Sequence, residues 1–340
     1  MKKTLLLFCF LVFTYSVSSQ NETDLSEKYA ASITAKEIGN HLFTYASDEF
    51  EGRNTGEPGQ KMAVEYLKDF YVKHKIISPI GGEDYYQEVP ASYMNKLSRR
   101  GELKDSENVV AFIKGTEKPD EIIVISAHLD HVGMNKDGEV FNGADDDGSG
   151  TIAVLEIAEA FKKAVNDGNG PKRSILFLHV TGEEKGLLGS RYYTENPIFP
   201  IANTIANLNI DMIGRVDERH KGNPNYVYLI GSDKLSTSLH EVSEAMNTKY
   251  TSLELDYKYN DENDPNRFYY RSDHYNFAKL NVPIIFYFNG THADYHKETD
   301  TPDKINYEQL ETRTRLVFHT AWEVANREAT IVADKIEKAE

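Results

Sequence analysis

His128-Leu129-Asp130-His131 follows a short apolar run. A histidine two residues before an aspartate can give one ring nitrogen to a metal while a carboxylate holds the other. Next comes Asn142-Gly143-Ala144-Asp145-Asp146-Asp147-Gly148-Ser149-Gly150. Three adjacent carboxylates repel one another, and a helix N-cap needs only one, so a run of three between glycines implies a cation that holds them together. An EF-hand is excluded, because counting back from Gly148 puts Gly143 at the first ligand position and Val154 at the last. Thr181-Gly182-Glu183-Glu184-Lys185-Gly186 offers adjacent glutamates that point in different directions. One can ligate while its neighbour works as a general base.

Asp211 closes the apolar run ending Asn207-Leu208-Asn209-Ile210, where a charge must be paired or ligating. The last cluster is His292-Ala293-Asp294-Tyr295-His296, followed by Asp300-Thr301-Pro302-Asp303. It is not a zincin H-E-x-x-H, because Ala293 holds the glutamate position and no helical pattern surrounds it.

These stretches need elements to bring them together. Short β-branched runs at 109–113, 122–126, 175–180, 205–210, 227–230 and 284–288 read as strands. Helical periodicity occupies 60–75, where Met62, Ala63, Tyr66, Leu67 and Phe70 share a face, and also 151–165, 187–193, 235–249 and 308–329. Near-continuous apolar strands alternating with helices predict an α/β fold, a single-domain α/β/α sandwich around a mixed, mainly parallel sheet. In such sheets function collects at the carboxyl ends of the strands. Four strand ends and one helix start would then present His and carboxylate on one edge. That set has the make-up for two adjacent divalent ions, each with one His, one carboxylate and a shared Asp. Without cysteine it suits zinc best, with cobalt or manganese next.

The composition is that of an acidic globular protein. The chain has 340 residues, 40% hydrophobic and 11% aromatic, enough for a sizeable core and too apolar for disorder. A formal charge of −16 argues against a partner built of nucleic-acid phosphate. One cysteine excludes a disulfide framework. Lys2-Lys3, an apolar run from Leu5 to Phe13 and the small residues around Ser18-Ser19 predict a signal peptide over 1–19, cut near Ser19-Gln20. The apolar run is too short for a stable membrane anchor. Removing the leader removes Cys9, so a periplasmic or secreted chain without cysteine is expected. Residues 20–340 then form one catalytic domain, with a helical region at 20–107 packed on a metal-binding core at 108–330.

Taken in order, H-L-D, G-A-D-D-D-G-S-G, G-E-E-K-G-L-L-G-S, N-I-D-M-I-G-R, S-D-H and D-Y-H-K-E-T-D-T-P-D resemble the co-catalytic di-zinc aminopeptidases, family twenty-eight of the metallopeptidases. The stretch from Ala46 to Arg53 resembles the N-terminal portion of bacterial members, and no protease-associated insertion fits between Pro90 and Asn108. The resemblance implies two zinc ions per chain, His128 and Asp211 on one, Glu184 and His296 on the other, and Asp146 between them. It implies Glu183 as general base and acid, Asp130 as the orienting partner of His128, Asp273 in support and Tyr270, with Tyr269 close behind, for the tetrahedral intermediate. His292 is the alternative to His296, whereas His131 and His274 read as structural or pocket-lining.

The implied activity is removal of N-terminal residues from peptides with a free amine. Alternatives on the same fold are a glutaminyl cyclase, disfavoured by the D-D-D-G-S-G run, and a carboxypeptidase for acidic dipeptides, for which Arg215 and Arg271 are available. A catalytically dead binding module would have lost ligands, and none is missing. The polar, Tyr-rich stretch at 256–265 reads as a solvated loop or a rim to the site.

Overall fold

The computed structural model describes residues 24–98 and 101–336, so the leader expected over 1–19 lies outside the described residues. The strands are β1 (Tyr86–Val89), β2 (Ser106–Ile113), β3 (Lys118–His128), β4 (Gly133–Met134), β5 (Val140–Phe141), β6 (Arg173–Val180), β7 (Thr204–Ile210), β8 (Tyr226–Ile230), β9 (Glu254–Asp256) and β10 (Ile284–Phe288). Eight of them form one sheet in the order β1-β2-β6-β3-β7-β10-β8-β9, and β4 with β5 makes a separate small hairpin. The centre of the sheet is parallel: β3 pairs β6 and β7, and β7 pairs β10. Antiparallel pairs flank it, β2 on β6 and β8 on β10.

The central strands are apolar on both faces because both faces are covered. Ile123, Ile125 and Ala127 of β3 and Ile175 and Phe177 of β6 pack in a core with helices Leu25–Ala30, Ala35–Tyr45, Pro58–His74, Gly150–Asn166 and Tyr307–Asn326. Their alternates Ile122, Val124, Leu176, Leu178 and Val180 meet Tyr193 and Phe277, from helices Leu188–Glu195 and His274–Ala278. That is the α/β/α sandwich expected from the sequence. A third apolar cluster joins Tyr226, Tyr228, Phe286 and Phe288 of β8 and β10 to Tyr259 and Phe268. The stretch read as a solvated loop or rim therefore seats a buried tyrosine on the sheet.

The first two helices were hidden in a polar stretch. Thr34 caps the second by accepting from the Glu37 amide, and Ile38, Leu42 and Tyr45 give it a narrow buried face. Among the described residues no helix is long and apolar enough to cross a membrane.

Candidate active site

Parallel strands bring their carboxyl ends to one edge. His128 is the last residue of β3 and stands in register with Val180 of β6. Glu183 and Glu184 lie in the turn that follows β6, Asp211 directly follows β7, and the loop after β10 carries His292 and His296. Asp145, Asp146 and Asp147 occupy the entry to helix Gly150–Asn166.

The side chains converge on Asp146. His128 Nε2 is 3.2 Å from Asp146 Oδ1 and 3.7 Å from Asp211 Oδ1. On the other side His296 Nε2 is 3.0 Å from Asp146 Oδ2 and 3.0 Å from Glu184 Oε1. The two oxygens of Asp146 thus face two separate donor groups. His131 joins the second group, with Nδ1 at 3.1 Å from Glu184 Oε1 and 3.8 Å from Asp146 Oδ2. The sequence had left His131 among pocket-lining residues; its place inside the H-L-D-H run was the available signal. His292 turns elsewhere, its Nε2 3.2 Å from Asp145 Oδ2.

Asp147 also lies near His128 and Asp211. However, its carboxylate is occupied with the amides of His128 (3.2 Å), Gly150 (2.9 Å) and Met212 (3.1 Å), so it ties three segments together. Asp145 does the same for Gly214 (2.6 Å) and the Ser149 hydroxyl (2.9 Å). Asp300 Oδ2 accepts from the amides of Asp145 (3.0 Å) and Asp146 (3.2 Å). The run of three aspartates therefore divides its work: the middle one faces the cavity and its neighbours hold the backbone.

Asp130 meets His128 through its main-chain carbonyl, 3.0 Å from Nδ1, while its Oδ1 is 3.9 Å away. The carboxylate is drawn instead to two better donors, the Glu183 amide at 3.1 Å and the Thr55 hydroxyl at 2.7 Å. Ser272 donates to Asp211 Oδ2 at 2.7 Å, and Ser190 donates to Asp273 at 2.5 Å. His274 is buried, its Nε2 2.8 Å from the Tyr269 carbonyl oxygen.

The site favours positive charge. Burial alone would push the His128 and His296 imidazoles down, but the facing carboxylates outweigh it, holding His128 well above its ordinary value and raising His296 to about 10. Burial would raise Asp146, yet its imidazole neighbours keep it well below the usual carboxylate range. Glu183 is half-buried, and burial reinforced by Glu184 and Asp211 pushes its carboxyl well up, with His128 opposing. Among the described residues His128 Nε2, His131 Nδ1 and Asp146 Oδ2 are buried without a hydrogen-bond partner, His128 on one side of Asp146 and His131 on the other. Orphaned nitrogens and oxygens facing a common space, with no sulfur among them, fit a pair of divalent zinc ions.

Two cavities open from this floor. One, of about 30 Å³, is walled by Met212, Phe268, Phe286 and Phe288 beside Asp146, Glu183 and Asp211. The other is an open cleft of about 430 Å³ reaching from Glu183, Glu184 and His296 to Leu187 and Tyr270. Tyr270 stands on the cleft wall, 42% exposed and packed edge-on against Tyr269 and Tyr275. Tyr295 lines both cavities and stacks on His296 at 3.9 Å. The sequence reading passed over Tyr295, and its signal was adjacency to His296. A third His/carboxylate group, His220 with Glu254 and Asp256, is satisfied internally: His220 pairs with Asp217 at 2.9 Å and Arg219 with Asp256 at 3.2 Å.

A sandwich with this edge and this donor set defines a class of metallopeptidase-like α/β proteins. Residues 108–321 match the model of Peptidase family M28, more than half of the chain, and the chain belongs to that family. It is 31% identical over 263 residues to leupeptin-inactivating enzyme 1 of Streptomyces exfoliatus, across 75% of this chain and 48% of that protein. The chain thus spans about half the length of that curated relative. The fold is shared with a zinc aminopeptidase from Bacillus subtilis (TM-score 0.65, 17% identity, 90% of this chain and 99% of that one). It is also shared with Porphyromonas gingivalis glutaminyl cyclase (TM-score 0.64, 17% identity, 85% of this chain and 98% of that one). The fold alone does not choose between those chemistries.

Proposed function

We propose that the chain is an exported, zinc-dependent aminopeptidase that releases N-terminal residues from peptides with a free amine. The observation that carries this reading is Asp146, whose two oxygens each face a complete donor group, with Glu183 at the floor of the adjoining cleft. A second full group supports a two-ion site over the one-zinc cyclase alternative. The order of basic, apolar and small residues from Lys2 to Gln20 supports export.

His128 and Asp211 would hold one zinc, Glu184 and His296 the other with His131 beside them, and Asp146 would lie between. Zinc in such a site supplies Lewis acidity, polarising a carbonyl and acidifying water. Glu183 then accepts the proton of the attacking water and delivers it to the leaving amine. Asp130 fixes the Glu183 backbone through the amide hydrogen bond. Tyr295 and Tyr270 stand on the cleft wall, where a phenol hydroxyl can donate to the oxyanion that develops on the scissile carbonyl. The acidic floor receives the cationic N-terminus.

A panel of aminoacyl chromogenic substrates, each with its N-acetylated counterpart, tests the reading on the zinc-loaded chain. Hydrolysis confined to the free amines is expected. Hydrolysis confined to the blocked compounds would overturn it.

A further inference from the structure

Of the two arginines that could read an acidic substrate, the structure leaves one available. Arg215 is committed: its guanidinium lies 2.7 Å from Asp294 and 3.6 Å from Asp300. Arg271 is exposed, lies over the Phe268 ring at 4.8 Å and approaches the Tyr295 hydroxyl at 3.5 Å. Among the described residues it makes no ion pair with a carboxylate, and it is the one arginine or lysine lining the two cavities. Arg267, four residues earlier in sequence, stacks on Tyr270 at 4.8 Å and lines neither cavity.

The position of Arg271 is set by both of its sides. Ser272, the next residue, is anchored on Asp211, and the guanidinium carbon lies 4.8 Å from the centre of the buried Phe268 ring. Without a carboxylate partner among the described residues, the guanidinium can meet a planar anion with two parallel hydrogen bonds, the geometry in which arginine binds carboxylates. Among the described residues this guanidinium is the one basic side chain where the two cavities meet, apart from the histidines that would hold zinc.

We infer that Arg271 is a specificity-determining residue that binds a carboxylate of the substrate, so that the preferred substrates are peptides presenting a carboxylate close to the scissile bond. This inference rests on the aminopeptidase reading. The carboxylate has two sources: the free C-terminus of a dipeptide, or the side chain of an N-terminal glutamate or aspartate.

The test uses substrate pairs that differ only in that charge. Leu-Gly against Leu-Gly amide isolates the C-terminal carboxylate, and Glu-Gly amide against Gln-Gly amide isolates the side chain. Binding is read by calorimetry on zinc-loaded Glu183→Gln, alone and combined with Arg271→Gln or Arg271→Lys; KM and kcat are read in the chains that keep Glu183. The expected result is a preference of roughly tenfold or more for the acid over its neutral partner in one pair, which names the source. That ratio should collapse towards one in Arg271→Gln, be partly kept in Arg271→Lys, and reside in KM. Equal binding of both partners in both pairs overturns the inference, as does a preference that survives Arg271→Gln. Failure of the chain with Glu183 and Arg271 intact to cleave any of the four compounds would count against the aminopeptidase reading, while the calorimetric ratios still decide the role of Arg271.

Discussion

Arg53 Nε donates to the main-chain carbonyl of Leu129, at 3.2 Å, between His128 and Asp130. The same buried guanidinium reaches the carbonyls of Asn142 at 2.6 Å and Gly143 at 2.8 Å, at the start of the aspartate run. One side chain from the N-terminal segment thus ties together the two loops that carry His128 and Asp146. Thr55 adds the bond to Asp130.

Arg53→Met should therefore cost more than an ordinary surface change. It leaves the buried Asn142 carbonyl without a donor, at roughly 1–3 kcal/mol, while Leu129 keeps the Tyr45 hydroxyl and Gly143 keeps the Gly148 amide. Denaturant unfolding should show a loss of about 1–3 kcal/mol, and zinc should be stripped at lower chelator concentration. A midpoint and zinc affinity equal to those of the unsubstituted chain would mean that the N-terminal segment does not hold the site.

Glu183→Gln removes proton transfer and leaves the donor groups around Asp146 in place. Zinc content should be unchanged while kcat falls by about two to four orders of magnitude. Unchanged turnover would remove Glu183 from the base position; lost zinc would make it a ligand.

These two residues mark what was legible in the sequence. Glu183, Glu184, His128 and Asp211 were readable because each closely follows an apolar run, and the parallel topology then dictates a shared edge, whereas His131 was not read as a donor. Arg53 has no signal of its own in the sequence, because its bonds go to main-chain carbonyls, which have no signature there. The split roles of Asp145 and Asp147 were equally hidden, since the amides of Gly214, Gly150 and Met212 and the Asp300 carboxylate decide them. Phe268 and Arg271 reach the site on a segment without periodicity, so only the fold places them.

Glycine at 143 has a readable reason once the fold is known. Its φ is +56°, and a Cβ there would stand 2.5 Å from ring atoms of His131. Gly143→Ala should displace His131 and the turn carrying Asp146, lowering both stability and zinc retention, as thermal melts with and without zinc would reveal. A melt that matches the unsubstituted chain in both conditions would mean that the turn has slack.

Glu156 lies far from this chemistry, 2% exposed on helix Gly150–Asn166, with Oε1 lacking a hydrogen-bond partner among the described residues. Burial, with Glu37 and Glu159 adding to it, raises its carboxyl from 4.5 to about 8. The folded chain then binds more protons than the unfolded one between these values, so stability falls as pH rises from about 4.5 to about 8 and levels off above. Glu156→Gln should match the unsubstituted chain near the acid end of that window and exceed it by a few kcal/mol, order of magnitude, at its alkaline end. Urea unfolding at both ends checks this, and parallel pH profiles for the two proteins would refute it.

The most direct measurement of the central claim is the zinc content of the purified, metal-saturated chain, taken by elemental analysis alongside its activity. Asp146 facing two donor groups predicts close to two equivalents per chain, with full activity only when both are present. One equivalent in fully active protein would contradict it.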